Sequence, residues 1–192
     1  RALAAEATGR DAPLFAACSA GMFRHDTRAM LFLLPRMVLD AVSSRDETRI
    51  AHVRMEITAV LNDAAGVEGD QAASHAHAAQ KSTQGEQAEL AAQTVFTLLD
   101  QLTAWRDDAA SREANGFVED DALASLLDAV PRKLLARAAL RCGAPARALL
   151  YFEEHIRAEK NVMNQAALRN GDPEGGGLDD EEASFLAATH RG

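Results

Sequence analysis

Aromatic residues, cysteines and long apolar runs are all scarce in this sequence, and each scarcity excludes a class of protein. Phe, Trp and Tyr make up 5% of the 192 residues, while alanine and leucine dominate. This balance favours helix over sheet, because aromatic and β-branched residues build strands. Cys18 and Cys142 are too few for a disulfide framework or a structural zinc site, so we expect buried free thiols in a reducing compartment. No apolar run reaches the roughly 20 residues that cross a bilayer.

Basic residues are outnumbered by acidic ones, which argues against direct binding of nucleic acid. The chain has 20 Lys and Arg against 29 Asp and Glu, a formal net charge of -9. Phosphate backbones attract positive surfaces, so we expect neither nucleic acid nor membrane as a direct partner. One basic run exists, and we interpret it as a solvated helix face. It consists of Arg132, Lys133, Arg137, Arg141 and Arg147.

Motifs for phosphate binding and phosphoryl transfer are missing as well. The Gly-rich loop ending in Gly-Lys-Ser/Thr does not occur, and Gly175 to Gly177 lie in an acidic linker without a preceding strand. The triplet Arg24-His25-Asp26 has the wrong order for a kinase catalytic loop, and no Asp-Phe-Gly follows it. The sequence therefore predicts no catalytic residue and no cofactor site in this chain.

Three polar clusters resemble functional sites, but each is better explained as ordinary surface or linker residues. His75 and His77 alone make at best an adventitious metal site, so we predict no metal ligand. Glu153, Glu154 and His155 are consecutive, and consecutive helical residues face different sides. The dipeptide that begins at Thr83 (Thr-Gln) is a weak candidate for regulatory phosphorylation.

Helical periodicity organises most of the chain. We expect Asp11 and Pro13 to begin a short helix. The segment from 25 to 43 is largely apolar, so we expect it to be buried, with a break or kink at Pro35. An amphipathic helix is expected to follow and to end at about 62. The clearest stripe runs from Ala91 to Trp105. We predict these divisions: 1–62, the end of HEAT-like helical repeats; 63–88, a flexible linker; 89–112, a long amphipathic helix; 119–160, a helical hairpin; 161–192, a linker and a short helix.

The hairpin prediction depends on residues that begin and end helices. Pro131 opens one helix, Gly143 stops it, and Pro145 opens the next, so two neighbouring helices must lie antiparallel. Leu135 and Leu149 are expected to face inward. The fold class predicted is all-α, a helical-repeat solenoid of antiparallel pairs, similar to HEAT or TPR repeats. The chain lacks an initiator Met and stops abruptly at Gly192, so we expect it to be cut from a longer protein.

Three blocks together resemble the ATR branch of the phosphatidylinositol-kinase-related protein kinases. They are RAMLFLLPRMVLD (28–40), AQTVFTLLDQLTAW (92–105) and LLDAVPRKLLARAALRCGAPARALLYFEE (126–154). The third is the most specific, through its Val-Pro, Arg-Cys and Ala-Leu-Leu-Tyr-Phe-Glu elements. The resemblance covers most of the chain and is to the region where a HEAT-type solenoid enters the FAT domain, which would begin within 119–160.

The resemblance implies a non-catalytic scaffold segment of a large nuclear serine/threonine kinase that acts in DNA-damage and replication-stress checkpoints. ATP and Mg²⁺ would bind in a kinase domain elsewhere in the parent, whose partners would include a regulatory subunit and a dimer partner. The alternative is a stand-alone TPR-like adaptor that binds peptides or partner helices, since the hairpin at 132–160 also fits a TPR unit. A kinase domain in the same reading frame would distinguish the two.

Overall fold

A computed structural model of the chain describes residues 7, 11–20, 25–66, 78–113, 121–160 and 180–189, and within these ranges the elements are helices without any strand. The prediction of an all-α fold is therefore confirmed. The helices are α1 (Ala12–Ala20), α2 (Thr27–Ser43), α3 (Glu47–Ala65), α4 (Ala78–Glu113), α5 (Asp121–Asp128), α6 (Arg132–Arg141), α7 (Pro145–Lys160) and α8 (Asp180–Thr189). In this part of the chain, no helix has both the length and the apolar character of a membrane span.

One compact unit contains residues 1–60 and 93–130. Its core includes Phe15 and Cys18 of α1 together with Met37 of α2, and each is at most 6% exposed. Helix α2 also packs against α5, whose Leu123, Leu126 and Leu127 are buried. The apolar residues that repeat at helical spacing thus form the interior of this unit.

Side-chain caps define where α2 and α3 begin. The Asp26 carboxylate accepts a hydrogen bond from the backbone N–H of Ala29 at 3.0 Å, and the Asp46 carboxylate accepts one from the N–H of Thr48 at 2.9 Å. These bonds satisfy backbone donors that a helix start leaves open. Between the two helices, Arg45 adopts a positive φ of 53°. The capped turn predicted at 43–46 is confirmed.

The second unit contains residues 61–92 and 131–192, and the α6–α7 hairpin is its main feature. Gly143 takes a φ of 67°, the left-handed conformation that ends helices, and Pro145 starts α7 as predicted. Ala138, Ala139 and Ala148 are fully buried, and small side chains let helix axes approach closely. Helix α8 joins through a ring stack of Phe152 and Phe185, with centroids 4.6 Å apart.

Pro35 does not break α2, and the kink that was expected as the other possibility stays a prediction. The expectation that the whole segment is buried is wrong. The helix runs from Thr27 to Ser43 with Pro35 inside it. Proline removes one hydrogen bond of the ladder, but the neighbouring bonds and the packing of Met37 and Val38 hold the helix. Phe32, in contrast, is 82% exposed.

Helix α4 is longer than the sequence suggested. It begins at Ala78, and α3 continues to Ala65, so much of the proposed linker 63–88 is helical. The stretch 78–90 has no apolar stripe, but it is rich in Ala, Gln and Glu, which favour helix by intrinsic propensity. Residues 67–77 and 161–179 lie outside the described residues, and the division into domains stays a prediction.

The buried face of α4 is also rotated relative to the predicted stripe. Val95, Leu98 and Leu102 are buried as expected. Leu90 is 66% exposed and Trp105 is 41% exposed, whereas Phe96 is buried. Periodicity alone located the stripe correctly in its middle and wrongly at its ends.

Candidate interaction surface

Asp26, the acidic residue of the Arg24-His25-Asp26 triplet, has a structural role. Its carboxylate caps α2, and the neighbouring His25 is exposed. Arg24 lies outside the described residues. A carboxylate that holds the first turn of a helix is the expected position for an acidic residue in front of an apolar run.

The acidic cluster on α7 forms ion pairs. A carboxylate oxygen of Glu153 lies 3.3 Å from Arg157 Nη2, one turn along the helix, and one of Glu154 lies 3.5 Å from Arg132 Nε on α6. Glu153 and Glu154 therefore face different partners, as the sequence analysis inferred from helix geometry. Glu154 joins the two helices of the hairpin.

The basic run is less solvated than predicted. Arg141 is exposed, whereas Arg132, Lys133, Arg137 and Arg147 are half-buried. Arg147 Nη1 lies 3.4 Å from the hydroxyl of Tyr151. Four of the five side chains are partly covered, so within this run the expected solvated position is seen for Arg141.

No group of three or more metal-ligating side chains occurs within the described ranges. His75 and His77 lie outside them, and Thr83 falls in α4 rather than in a linker. Both cysteines are free thiols; Cys18 is buried as expected, whereas Cys142 is only half-buried. Burial raises the pKa of the Cys142 thiol, and the negative charge of Glu89 raises it further. This thiol is therefore a weaker nucleophile at neutral pH than an ordinary cysteine.

Two arginines organise the first unit in different ways. Arg49 of α3 pairs with Asp40 of α2 at 3.4 Å, and both side chains are less than a tenth exposed, at 8% and 7%. Arg36 of α2 bonds to Asp11 through Nε at 2.7 Å, and its guanidinium carbon lies 5.1 Å from the ring centroid of Trp105. Arg36 thus links α2 with the start of α1 and with α4.

An open cleft between α2 and α4 is the best candidate for an interaction surface in the first unit. It has a volume of about 120 Å³. Its lining residues are uncharged: Leu31, Leu34, Pro35, Thr94, Thr97, Leu98 and Gln101. Phe32, next to it in sequence, is the most exposed of the large hydrophobic residues described, and Leu31 is 40% exposed. The sequence pattern gives no sign of this surface, because its apolar residues predict burial for the whole α2 segment.

Comparison with known proteins places the chain in a kinase context. The family model described as the M-HEAT region of serine/threonine-protein kinase ATR matches residues 2–170. The chain is 34% identical over 219 aligned residues to serine/threonine-protein kinase ATR of Oryza sativa subsp. indica, which covers 100% of the chain and 8% of that protein. The kinase of the same name from Arabidopsis thaliana is 34% identical over 200 residues, covering 89% of the chain and 7% of that protein.

A more distant relative is also a protein kinase. Protein kinase rad3 of Schizosaccharomyces pombe is 28% identical over 165 residues, covering 75% of the chain and 6% of that protein. The chain thus spans less than a tenth of the length of the curated relatives it matches. No solved structure matches it. The match to a HEAT region confirms the predicted helical-repeat fold class.

Proposed function

Because this chain belongs to the ATR family of serine/threonine-protein kinases, as a segment of the M-HEAT region, we propose that it is a non-catalytic helical scaffold within such a kinase. The observation that carries the proposal is the match of residues 2–170 to a region named for its helical repeats. The parent kinase would act in DNA-damage and replication-stress checkpoint signalling, in the nucleus.

The physical basis of a scaffold role is mutual burial between helices. In the α6–α7 hairpin, Leu135, Ala139 and Ala148 are at most 1% exposed. Either helix without the other would expose its apolar face to water. Repeat scaffolds derive their stability from such contacts between neighbouring elements. A frame of this kind transmits partner binding as small shifts in helix packing.

The partners follow from the same proposal. This segment would contact the rest of the parent kinase chain, and the parent would recruit a regulatory subunit and a dimer partner. ATP and Mg²⁺ would bind in the kinase domain of the parent. The M-HEAT match includes residues 119–160, which the sequence analysis assigned to the start of a FAT domain, and that assignment stays a prediction.

A stand-alone TPR-like adaptor is not favoured. The relatives that match are kinases many times longer than this chain, and the matched region is a HEAT region.

Two alanines of α7 provide a matched test in the full-length kinase. Ala148 is fully buried, and Ala146, two residues earlier, is exposed. Ala148→Leu overfills the hairpin at a cost of about 1–3 kcal/mol, so we expect kinase abundance and total activity to fall together while activity per folded molecule is retained. Ala146→Leu should leave both unchanged.

Immunoblotting and a peptide phosphorylation assay on the same preparations would check this. A loss of activity per molecule in Ala148→Leu, with normal abundance, would instead point to a direct part in catalysis. Normal abundance and normal activity in both variants would contradict a scaffold role for the hairpin.

A further inference from the structure

We propose that helix α8 is a detachable strap: it lies on α7, opens without unfolding the α6–α7 hairpin, and uncovers Phe152 when it opens. The strap is a conformational device within this chain and goes beyond the scaffold role proposed above. The contacts that carry this inference all lie in the second unit.

The attachment of α8 to α7 is small. Phe185 stacks on Phe152 of α7, with ring centroids 4.6 Å apart and an angle of 25° between the ring planes. Leu186, next to Phe185, is half-buried. The alanine and serine side chains described on α8 are exposed: Ser184, Ala187 and Ala188. Among the side chains described on this helix, one aromatic ring and one leucine therefore supply the apolar attachment.

The helix is too short to be stable without that attachment. It has 10 residues, and isolated helices shorter than about 12–15 residues are only marginally stable in water. The hydroxyl of Thr189 donates to the carbonyl oxygen of Leu186 at 2.7 Å, which satisfies an acceptor that a helix end leaves open. This bond lies within α8 and stabilises its last turn. The helix therefore forms through its contact with α7 and loses its structure when that contact is lost.

The α6–α7 hairpin does not depend on α8 in the same way. Its two helices pack extensively on each other, and Leu135, Ala139 and Ala148 are at most 1% exposed. The M-HEAT match, residues 2–170, includes the hairpin and ends before α8 begins. Proteins open locally in separate units, and elements with few buried contacts open first. Opening α8 should therefore cost less free energy than opening the hairpin.

Opening the strap changes the surface of α7 at one place. Phe152 is 2% exposed while the ring of Phe185 is stacked on it. When α8 leaves, that face of the Phe152 ring meets water, which is unfavourable for apolar surface and favours closing again. The chain from 161 to 179 connects α7 with α8, and a covalent connection raises the effective concentration for reclosing. The opening is therefore reversible.

Amide hydrogen exchange in the full-length kinase tests whether α8 opens by itself. In the wild type, we expect the amides of α8 to exchange at least about tenfold faster than the slowest amides of α6, because the strap opens more often. Phe185→Ala removes the stacked ring and should speed exchange in α8 by at least about threefold more, with α6 unchanged. Ala188→Gln is the matched control and should change neither rate, because Ala188 is exposed and both residues favour helix.

Three results of the exchange experiment would overturn the proposal. Equal exchange of α8 and α6 in the wild type would show that α8 has no opening of its own. An equal increase in both helices in Phe185→Ala would show that α8 and the hairpin open as one unit. Unchanged exchange of α8 in Phe185→Ala would show that the ring stack does not hold the helix.

Hydroxyl-radical footprinting of the same proteins tests what the strap uncovers. Oxidation of Phe152, followed by mass spectrometry, should rise at least about threefold in Phe185→Ala and stay at the wild-type level in Ala188→Gln. Phe96 is 4% exposed in the other unit, so it is an internal reference whose oxidation should not change. The absence of a rise at Phe152 would overturn the proposal, and so would an equal rise at Phe96, which would indicate general unfolding.

Discussion

Arg141 donates a hydrogen bond from Nη1 to the backbone carbonyl oxygen of Ala65 at 3.1 Å, although 76 residues separate the two in sequence. Ala65 is the last residue of α3, where helix carbonyls lack partners and the dipole favours a cation. Gly66 follows with a φ of 70°, and a Cβ added there would overlap the guanidinium of Arg141. The end of α3 and the end of α6 are therefore fitted to each other within the second unit.

Gly66→Ala should destabilise the protein for two reasons that can be separated. The left-handed backbone costs an alanine about 1–2 kcal/mol, and the new methyl group makes the flexible end of Arg141 move aside, which removes its hydrogen bond to Ala65. In an Arg141→Met background, the guanidinium overlap is gone, so Gly66→Ala should cost less. Urea unfolding of the four combinations measures the coupling. Additive costs would show that the contact between Arg141 and position 66 does not matter.

The ion pair of Asp40 and Arg49 should contribute more than that of Asp11 and Arg36, although it is the longer of the two. Asp40 and Arg49 are nearly buried, so Arg49→Met removes the cation beside a carboxylate that water screens poorly and should cost about 1–3 kcal/mol in the free energy of unfolding. Arg36 and Asp11 are 49% and 30% exposed, so water screens the pair and Arg36→Met should cost about 1 kcal/mol or less. Chemical denaturation compares the two methionine variants directly. A larger loss in Arg36→Met would mean that the exposed ion pair and the contact of Arg36 with Trp105 together outweigh the buried pair.

The cap of α3 should give a pH-dependent contribution to stability. The pKa of Asp46 lies below its ordinary value of 3.8, chiefly because the Thr48 hydroxyl donates a hydrogen bond to the carboxylate. A carboxyl with a lowered pKa stabilises the fold above its unfolded pKa, and the effect is lost as pH falls through the folded pKa. The stability difference between wild type and Thr48→Val should be constant near neutral pH and shrink below pH 3.8.

Thr58→Val is the control for that experiment. Thr58 lies on the same helix, and its hydroxyl bonds to the carbonyl oxygen of Arg54 instead of a carboxylate. Its effect should not change with pH over the same range, because no titrating group is involved. Urea midpoints at matched pH values would measure both series. A Thr48→Val difference that stayed constant in acid would contradict the assigned bond.

Three leucines of the hairpin should rank by burial when truncated to alanine. Leu135 is 1% exposed, so Leu135→Ala leaves a cavity and should cost about 2–5 kcal/mol. Leu149 is half-buried and should cost less, although the sequence analysis expected it to face inward like Leu135. Leu150 is 53% exposed, and Leu150→Ala should change stability by no more than about 0.5 kcal/mol. Thermal melts of the three variants would establish the order.

The elements of this fold were predictable where local chemistry decides them. Gly143 and Pro145 mark the hairpin without reference to any distant residue, and the capped turn at 43–46 is a local signal as well. Helix α4 was underestimated because its first turns have propensity but no apolar stripe. The Phe32 surface was missed because periodicity reports that a helix is apolar and not which side a neighbour covers.

The sequence by itself determined the helical class, the residues that end one helix of the hairpin and begin the next, the absence of the common phosphate-binding motifs and the resemblance to a kinase family. Each depends on composition, spacing or short motifs read along the chain. Only the tertiary structure decided that Arg49 is buried with Asp40 and that Arg141 meets Ala65. Such pairings depend on the relative rotation and register of packed helices, which are set by side-chain interdigitation over the whole interface. A periodic pattern specifies the face of one helix and leaves its partner undetermined.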